Sequence, residues 1–272
     1  MTLKSVFGYL SVAVTAVMLA SPAITFAKPV AFSAAGRTPA DIKAQVDAFR
    51  NFFGGKNNGV GGTFPDGRRE INWDGVPDAF AAPNNMPANL FNARGAVFFT
   101  PGSGFQISAN QGVAPIRFDN LRPNVSRLFN VFSPQRLFTA LDSTITETLF
   151  FVPSTVQSAT TKGFGAVFTH VDREESAKIE YFDANGSLLA TAFAPAIKGK
   201  QTLSFIGVAF DAGEQVFLVR ITSGDVKLGG RDDDAKFGEK RDDSRDLVVM
   251  DDFIYGEPRP LFVEPIRAPA RK

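Results

Sequence analysis

Cysteine is absent from the 272-residue chain, and histidine and tryptophan each occur once. The absence of cysteine excludes disulfides, thiolate metal sites, cysteine nucleophiles and lipid attachment at a lipobox. A Ser-His-Asp triad would depend on His170, yet no Gly-x-Ser-x-Gly segment is present to expose a nucleophilic serine. We therefore interpret His170, which precedes Asp172 at the end of a predicted strand, as a surface or strand-end imidazole.

The chain also lacks an excess of charge of either sign. It has 29 basic and 28 acidic residues, a formal charge of +1. Removal of residues 1–27 would take away Lys4 and no acid, leaving 28 of each sign. Binding to a phosphate backbone requires a clear positive excess on one face, so we predict no nucleic-acid partner.

Tryptophan and tyrosine are scarce, whereas phenylalanine is abundant, with 28 Phe against 1 Trp and 3 Tyr. Phenylalanine has no polar group and is mostly found in cores. Short apolar segments, including the alternating residues 177–182, follow one another with turn signals roughly every 8–12 residues. This pattern predicts an all-β fold, an antiparallel β-sandwich of jelly-roll-like type.

One amphipathic helix is predicted ahead of the dense strand region, over residues 39–53. Thr38 is suited to the N-cap and Pro39 to the first helical position, and Gly54 and Gly55 end the pattern. The helical spacing of four apolar residues predicts a stripe that packs on the sandwich: Ile42, Val46, Phe49 and Phe53. A helix that binds a partner is the alternative.

Residues 1–27 have the features of an export signal. Lys4 is followed by an apolar stretch, and small residues precede a cleavage point after Ala27. We therefore predict a secreted or periplasmic protein with no membrane insertion after cleavage. The rest divides into a flexible N-terminus (28–37), the sandwich domain (38–258) and a Pro-rich basic tail (259–272).

Acidic residues are concentrated near the end of the domain. An acid pair, Asp251 and Asp252, lies within the apolar residues 247–255, and one of two neighbours on a regular strand must face the core. A buried carboxylate needs a partner, and we expect either Ca²⁺ held by Asp251, Asp252 and Asp246, or Arg220. The preceding acidic loop has interleaved basic residues and is interpreted as solvated: Asp232, Asp233, Asp234, Asp242 and Asp243.

Two further groups of residues are candidates for ligand chemistry. Trp73 and Asp74 could bind a sugar, with the Trp ring as a stacking platform, although burial of Trp73 is favoured because sugar sites usually draw on several Trp or Tyr. Glu70, Asp74 and Glu180 could supply the two carboxylates of a polysaccharide hydrolase if any two converge in a cleft.

Two resemblances follow from these motifs. The segment LVVMDDFIY (247–255) resembles the last strand of galactose-binding-like carbohydrate-binding modules, which implies an acid that helps to hold a structural calcium. The mature chain is similar to a group of uncharacterised secreted bacterial proteins. Four motifs carry this likeness: GRREINWDGVPD (67–78), SPQRLF (133–138), GFGAVF (163–168) and VVMDDFIYGEP (248–258).

Taken together, these features predict an exported, non-catalytic binding module with an extracellular glycan as partner and a structural Ca²⁺. Two alternatives stay open. One is a polysaccharide hydrolase that uses paired carboxylates, and the other is a structural matrix or cell-surface protein, which the scarcity of Trp and Tyr favours.

Overall fold

The computed structural model describes residues 29–211, 213, 215–229 and 245–261. The predicted signal peptide, the five acidic-loop residues and residues 262–272 of the predicted tail lie outside the described residues. No helix within the described ranges combines the length and hydrophobicity that a membrane span requires.

Strands make up most of the regular structure. The strands are β1 (Val30–Gly36), β2 (Arg68–Ile71), β3 (Ala96–Phe99), β4 (Gly104–Ile107), β5 (Phe138–Leu141), β6 (Ile145–Phe150), β7 (Ala159–Thr160), β8 (Gly163–Thr169), β9 (Ala177–Phe182), β10 (Leu188–Phe193), β11 (Leu203–Ala209), β12 (Leu218–Ser223), β13 (Val249–Gly256) and β14 (Arg259–Pro260). The helix is α1 (Pro39–Phe52), and short 3-10 helices cover Asp78–Phe80, Asn92–Arg94, Ile116–Phe118 and Val125–Leu128.

The strands form two main sheets. A 7-stranded sheet has the order β1-β11-β8-β13-β5-β4, with β2 also paired to β13, and a 5-stranded sheet has the order β10-β9-β12-β6-β3. The strand pairs of both sheets are antiparallel. The predicted all-β antiparallel sandwich is confirmed.

The main core lies between the two sheets. Phe164 and Phe253 of the larger sheet and Phe98, Phe150 and Ile179 of the smaller sheet belong to one buried cluster. Strand β9 alternates between buried and half-buried positions, as expected when one face packs on the core and the other meets solvent. Strands β8, β11 and β13 are instead buried at every position, so both of their faces are covered.

Helix α1 covers the outer face of the larger sheet. The predicted apolar stripe packs there in a second core with Val167, Phe205 and Ile254. Close packing requires glycine on the sheet, because a Cβ at Gly165 would lie 2.9 Å from the Phe49 ring. The helix begins as predicted after Thr38, whose backbone N–H donates to the Asp41 carboxylate (2.9 Å).

The prediction of a flexible segment over residues 28–37 is wrong for most of its length. Residues Val30–Gly36 form β1, which pairs with the whole of β11. Phe32 anchors this edge strand, since its ring lies 5.4 Å from that of Phe49 in the second core. The predicted tail also begins with structure, because Arg259–Pro260 pairs with Ala159–Thr160.

Candidate functional site

The Asp251–Asp252 pair lies on a β-bulge in β13. The partners of β13 on β8 change register between Met250, opposite Phe168, and Phe253, opposite Ala166, so that two residues oppose one. Met250 and Phe253 both face the core between the sheets. Side-chain alternation is therefore interrupted. The expectation that one of the two carboxylates must face the core between the sheets is wrong. Both point toward the helix-covered side.

Two donors contact the carboxylates there, a backbone N–H and a serine hydroxyl. The backbone N–H of Phe132 donates to Asp251 Oδ2 (2.6 Å), and Ser133 Oγ lies 3.1 Å from Asp251 Oδ1 and 2.6 Å from Asp252 Oδ1. A serine hydroxyl carries one proton and donates to one acceptor. A second proton on the carboxyl pair completes the set of hydrogen bonds.

Burial makes this proton favourable. Both side chains are almost fully buried, and a carboxylate without water favours its neutral form. Burial, followed by the charge of Asp252, raises the pKa of Asp251 well above its usual value. Burial also raises the pKa of Asp252, to about 6. Burial therefore favours the protonated form of Asp251 within this hydrogen-bonded acid pair.

The nearest cation comes from α1. Arg50 Nη2 lies 3.7 Å from Asp252 Oδ2 and 2.7 Å from Glu70 Oε2, and Glu70 Oε1 also accepts from Arg68 Nε (2.5 Å). The expected partner Arg220 lies on β12 in the other sheet, where its Nη2 pairs with Glu147 (2.6 Å). Arg220, one of the two expected partners, is therefore not the partner of the acid pair, and Arg50 is the cation beside it.

The donors around the pair do not fit a calcium shell. Ca²⁺ takes about six to eight oxygen ligands at about 2.3–2.6 Å. All four oxygens of the pair face hydrogen-bond donors or a guanidinium, from Phe132, Ser133 and Arg50. An ion here would displace these donors and lie beside the charge of Arg50. These donors fit a carboxyl pair that retains a proton.

Asp246, the third predicted metal ligand, belongs to a different cluster. Its Oδ2 accepts from the backbone N–H groups of Asp172 (2.9 Å) and Arg173 (3.2 Å) and from Ser176 Oγ (2.6 Å). Burial raises its pKa. His170, 6% exposed, hydrogen-bonds the carbonyl of Leu247 through Nδ1 (2.9 Å). No group of three or more potential metal-ligating side chains is found within the described ranges.

Trp73 is a core residue and Asp74 a loop residue. The Trp73 side chain is 1% exposed, stacks on Phe138 with ring centroids 4.3 Å apart, and donates from Nε1 to the carbonyl of Asp251 (2.8 Å). Its ring therefore supports the bulge and has no face open to a sugar. Asp74 accepts from the backbone N–H of Arg136 (3.1 Å), and burial raises the pKa of Asp74.

The three predicted hydrolase carboxylates have separate partners. Glu70 binds Arg50 and Arg68, Asp74 accepts from Arg136, and Glu180 pairs with Lys178 Nζ at 3.0 Å on the other sheet. Glu70 approaches Asp252 through their shared Arg50, and both side chains are mostly buried. Glu70 and Glu180 are thus paired with cations, and Asp74 accepts a backbone hydrogen bond.

Sequence reasoning missed a buried ion pair. Arg69 and Glu257 form two parallel bonds, Nε–Oε2 at 2.8 Å and Nη2–Oε1 at 2.7 Å, with both side chains almost fully enclosed. Arg69 also donates to the carbonyls of Gly59 (3.0 Å) and Gly62 (2.8 Å). The sequence signal that could have revealed this pair is the position of Arg69, two residues before Ile71 and therefore on the same, buried face of β2.

A pocket with two arginines in its lining was also missed. It has a volume of about 290 Å³ and lies in the connection between β4 and β5, where its lining includes Asn110, Gln111, Ile116, Arg117, Ser126 and Arg127. The sequence pattern indicated only a loop here. The pocket arises because this loop is folded back through two short 3-10 helices, Ile116–Phe118 and Val125–Leu128.

Comparison with known proteins identifies no relative: no protein-family model matches the chain, and no curated protein sequence matches it.

Proposed function

We propose that the chain is an exported, non-catalytic binding module for an extracellular glycan. The observation that carries this proposal is the contrast between the acidic residues and the loop pocket. The paired acids are hydrogen-bonded inside the protein, whereas the pocket between β4 and β5 is open and has charged and polar side chains in its lining. Loops on a rigid scaffold often carry binding sites, and ligand pockets typically combine an apolar lining with a few polar groups.

A non-catalytic role is favoured because the acid pair has no substrate access. Glycoside hydrolysis requires two carboxyl groups on either side of a substrate bond, about 5–10 Å apart. Asp251 and Asp252 are 0% and 3% exposed and share a single hydroxyl. Neither lines the pocket.

A structural matrix protein is the second candidate. It is favoured by the burial of Trp73, Tyr181 and Tyr255, which leaves no Trp or Tyr ring on the surface of the described residues. Stacking on such rings is a common source of sugar affinity, so a glycan would bind here through polar groups.

A glycan array probed with the full mature chain tests the binding role. We expect binding to a defined subset of glycans that survives Trp73→Phe, because Trp73 is enclosed in the core. Absence of binding to any glycan would overturn the binding role and favour the matrix protein.

The sequence-based prediction of a structural calcium has its own test. Because the donors around Asp251 and Asp252 fit a proton, we expect the same melting temperature in EDTA and in calcium, and no stoichiometric calcium by elemental analysis. A melting temperature several degrees lower in EDTA would support the structural calcium, since a ligand that binds only the folded state stabilises it.

A further inference from the structure

The loop pocket contains two arginines that differ in how they are held. Arg117 is half-buried, and its Nη1 donates to the carbonyl of Phe129 (2.6 Å), which fixes the plane of the guanidinium. Its other donors have no hydrogen-bond partner within the described part of the chain. Arg127 is exposed and, among the described residues, forms no ion pair and donates no side-chain hydrogen bond.

Arg117 lies near the buried acid pair. The acidic group that acts on it is Asp251, in the buried acid pair. Burial raises the pKa of Asp251 well above its usual value, which favours its uncharged form. An arginine stays protonated even when burial lowers its pKa, as it does for Arg117. The side chains that line the pocket include two guanidinium groups and no carboxylate, and Asp119 lies beside the lining residue Ser126.

The backbone of this loop is held in a costly conformation. Arg117 (φ 36°) and Phe118 (φ 74°) both adopt left-handed angles, which are unfavourable for non-glycine residues. The fully buried Phe118 ring maintains them, and Asp119 accepts from both the N–H and Oγ of Ser126 (2.9 Å each). The arginine is thus held in place before any ligand arrives.

The neutral groups of the lining can hydrogen-bond sugar hydroxyls. The Oδ1 of Asn110 accepts from Arg136 Nε (2.7 Å), which assigns its amide orientation and leaves Nδ2 as a donor. Gln111 is exposed and can both donate and accept. At about 290 Å³ the pocket is at the small end of the roughly 300–1,000 Å³ typical of ligand sites, which suits one terminal sugar residue.

We propose that this pocket binds an acidic sugar residue, with Arg117 and Arg127 on its carboxylate or sulfate group and Asn110 on a neighbouring hydroxyl. Arginine is suited to this role because its planar donors match the geometry of an oxyanion. The assignment rests on the proposed glycan-binding function and adds the ligand class to it.

Calorimetric titration of the full mature chain with short oligosaccharides tests the assignment. The probes are a uronate oligomer, a sulfated oligomer and a neutral oligomer of equal length. We expect at least one acidic probe to bind at least tenfold tighter than the neutral one, with an affinity that falls as salt increases. Arg127→Ala should weaken acidic binding about tenfold or more, because a charge-assisted hydrogen bond is lost.

Lys162→Ala is the matched control. Lys162 is an exposed cation next to the start of β8, and the opposite end of this strand, at Thr169, is the end that contacts Asn130 in the connection between β4 and β5. It should leave the affinity unchanged. Arg117→Lys keeps the charge but loses the planar donors, and it should also weaken acidic binding if the variant melts like the wild type.

The outcomes separate the two proposals. Preference for the neutral probe, or equal effects of Arg127→Ala and Lys162→Ala, would overturn the acidic ligand and leave the glycan-binding function standing. Equal binding of free sulfate and of the sulfated oligomer would overturn the sugar as the recognised group. Binding of no oligosaccharide or array glycan would overturn the function itself.

Discussion

Two pairs of buried ionisable side chains lie at β13, and they are compensated in opposite ways. Arg69 and Glu257, just beyond the end of the strand, neutralise each other through two parallel hydrogen bonds. Asp251 and Asp252, on the bulge, have the same charge and are held by a shared serine and a retained proton. A buried charge is tolerated only when an opposite charge or a proton compensates it.

The two arrangements respond differently to the loss of one member. Removal of Glu257 would leave the guanidinium of Arg69 buried without its counter-charge. A neutral residue in place of Asp251 would instead leave Asp252 beside a group that cannot ionise. The opposite-charge pair should therefore be intolerant of single substitutions, and the like-charge pair should be sensitive to pH.

Glu257→Ala should have the largest effect. We expect a loss of about 3–5 kcal/mol in the free energy of unfolding, because a buried charge would lose its partner. Urea denaturation measures the loss. Glu147→Ala is the matched control: its pair with Arg220 has side chains that are 27% and 43% exposed, and a partly exposed pair contributes about 0–1 kcal/mol. Equal losses in the two variants would contradict the difference in burial.

The like-charge pair should make the protein less stable as pH rises. The pKa of Asp252 is about 6 when folded, above the usual value of 3.8, so the folded state binds the proton more tightly. The resulting stabilisation is fully present below about pH 4 and is lost as pH rises through 6. The loss is on the order of 3 kcal/mol, at about 1.4 kcal/mol for each pH unit.

Asp251→Asn tests the other member of the pair, because an amide resembles the protonated carboxyl and does not ionise in either the folded or the unfolded state. Its unfolding free energy should equal that of the wild type near pH 4 and exceed it at pH 8, in urea titrations at both values. Asp246 and Asp74 also have raised pKa values and change stability in the same direction, so the difference between the two proteins is the relevant quantity. Parallel pH profiles would show that the pair does not hold the proton.

The sequence predicted the elements whose signal is local. The stripe of Ile42, Val46 and Phe49 predicted the helix and the face that it buries, and alternation in residues 177–182 predicted a half-exposed strand. Strand β1 was missed because its residues, VAFSAAG, are mostly small and have no strong strand signal of their own. Its position depends on pairing with β11, which is distant in the sequence.

The details of the site depend on such long-range pairing. The alternation rule failed at Asp251 and Asp252 because the bulge is defined by the register of β8, which the residues of β13 do not specify. The cation beside Asp252 is Arg50 and not Arg220, because α1 packs across the larger sheet next to β13. Arg69 and Glu257 are 188 residues apart, so their pairing follows only from the alignment of β2 with β13.

Ser133→Ala should have the smallest effect of the three, and its pH dependence makes it informative. Loss of the bridging hydroxyl should cost about 1–2 kcal/mol at pH 8, where Asp252 is ionised and needs a donor. The cost should be smaller at pH 4, where each protonated carboxyl can donate a hydrogen bond itself. Urea denaturation at both pH values measures this, with Ser187→Ala in the exposed turn between β9 and β10 as control. A loss equal at both values would mean that Ser133 only fills space, and the compensation of the like-charge pair would then rest on the proton and on Phe132 alone.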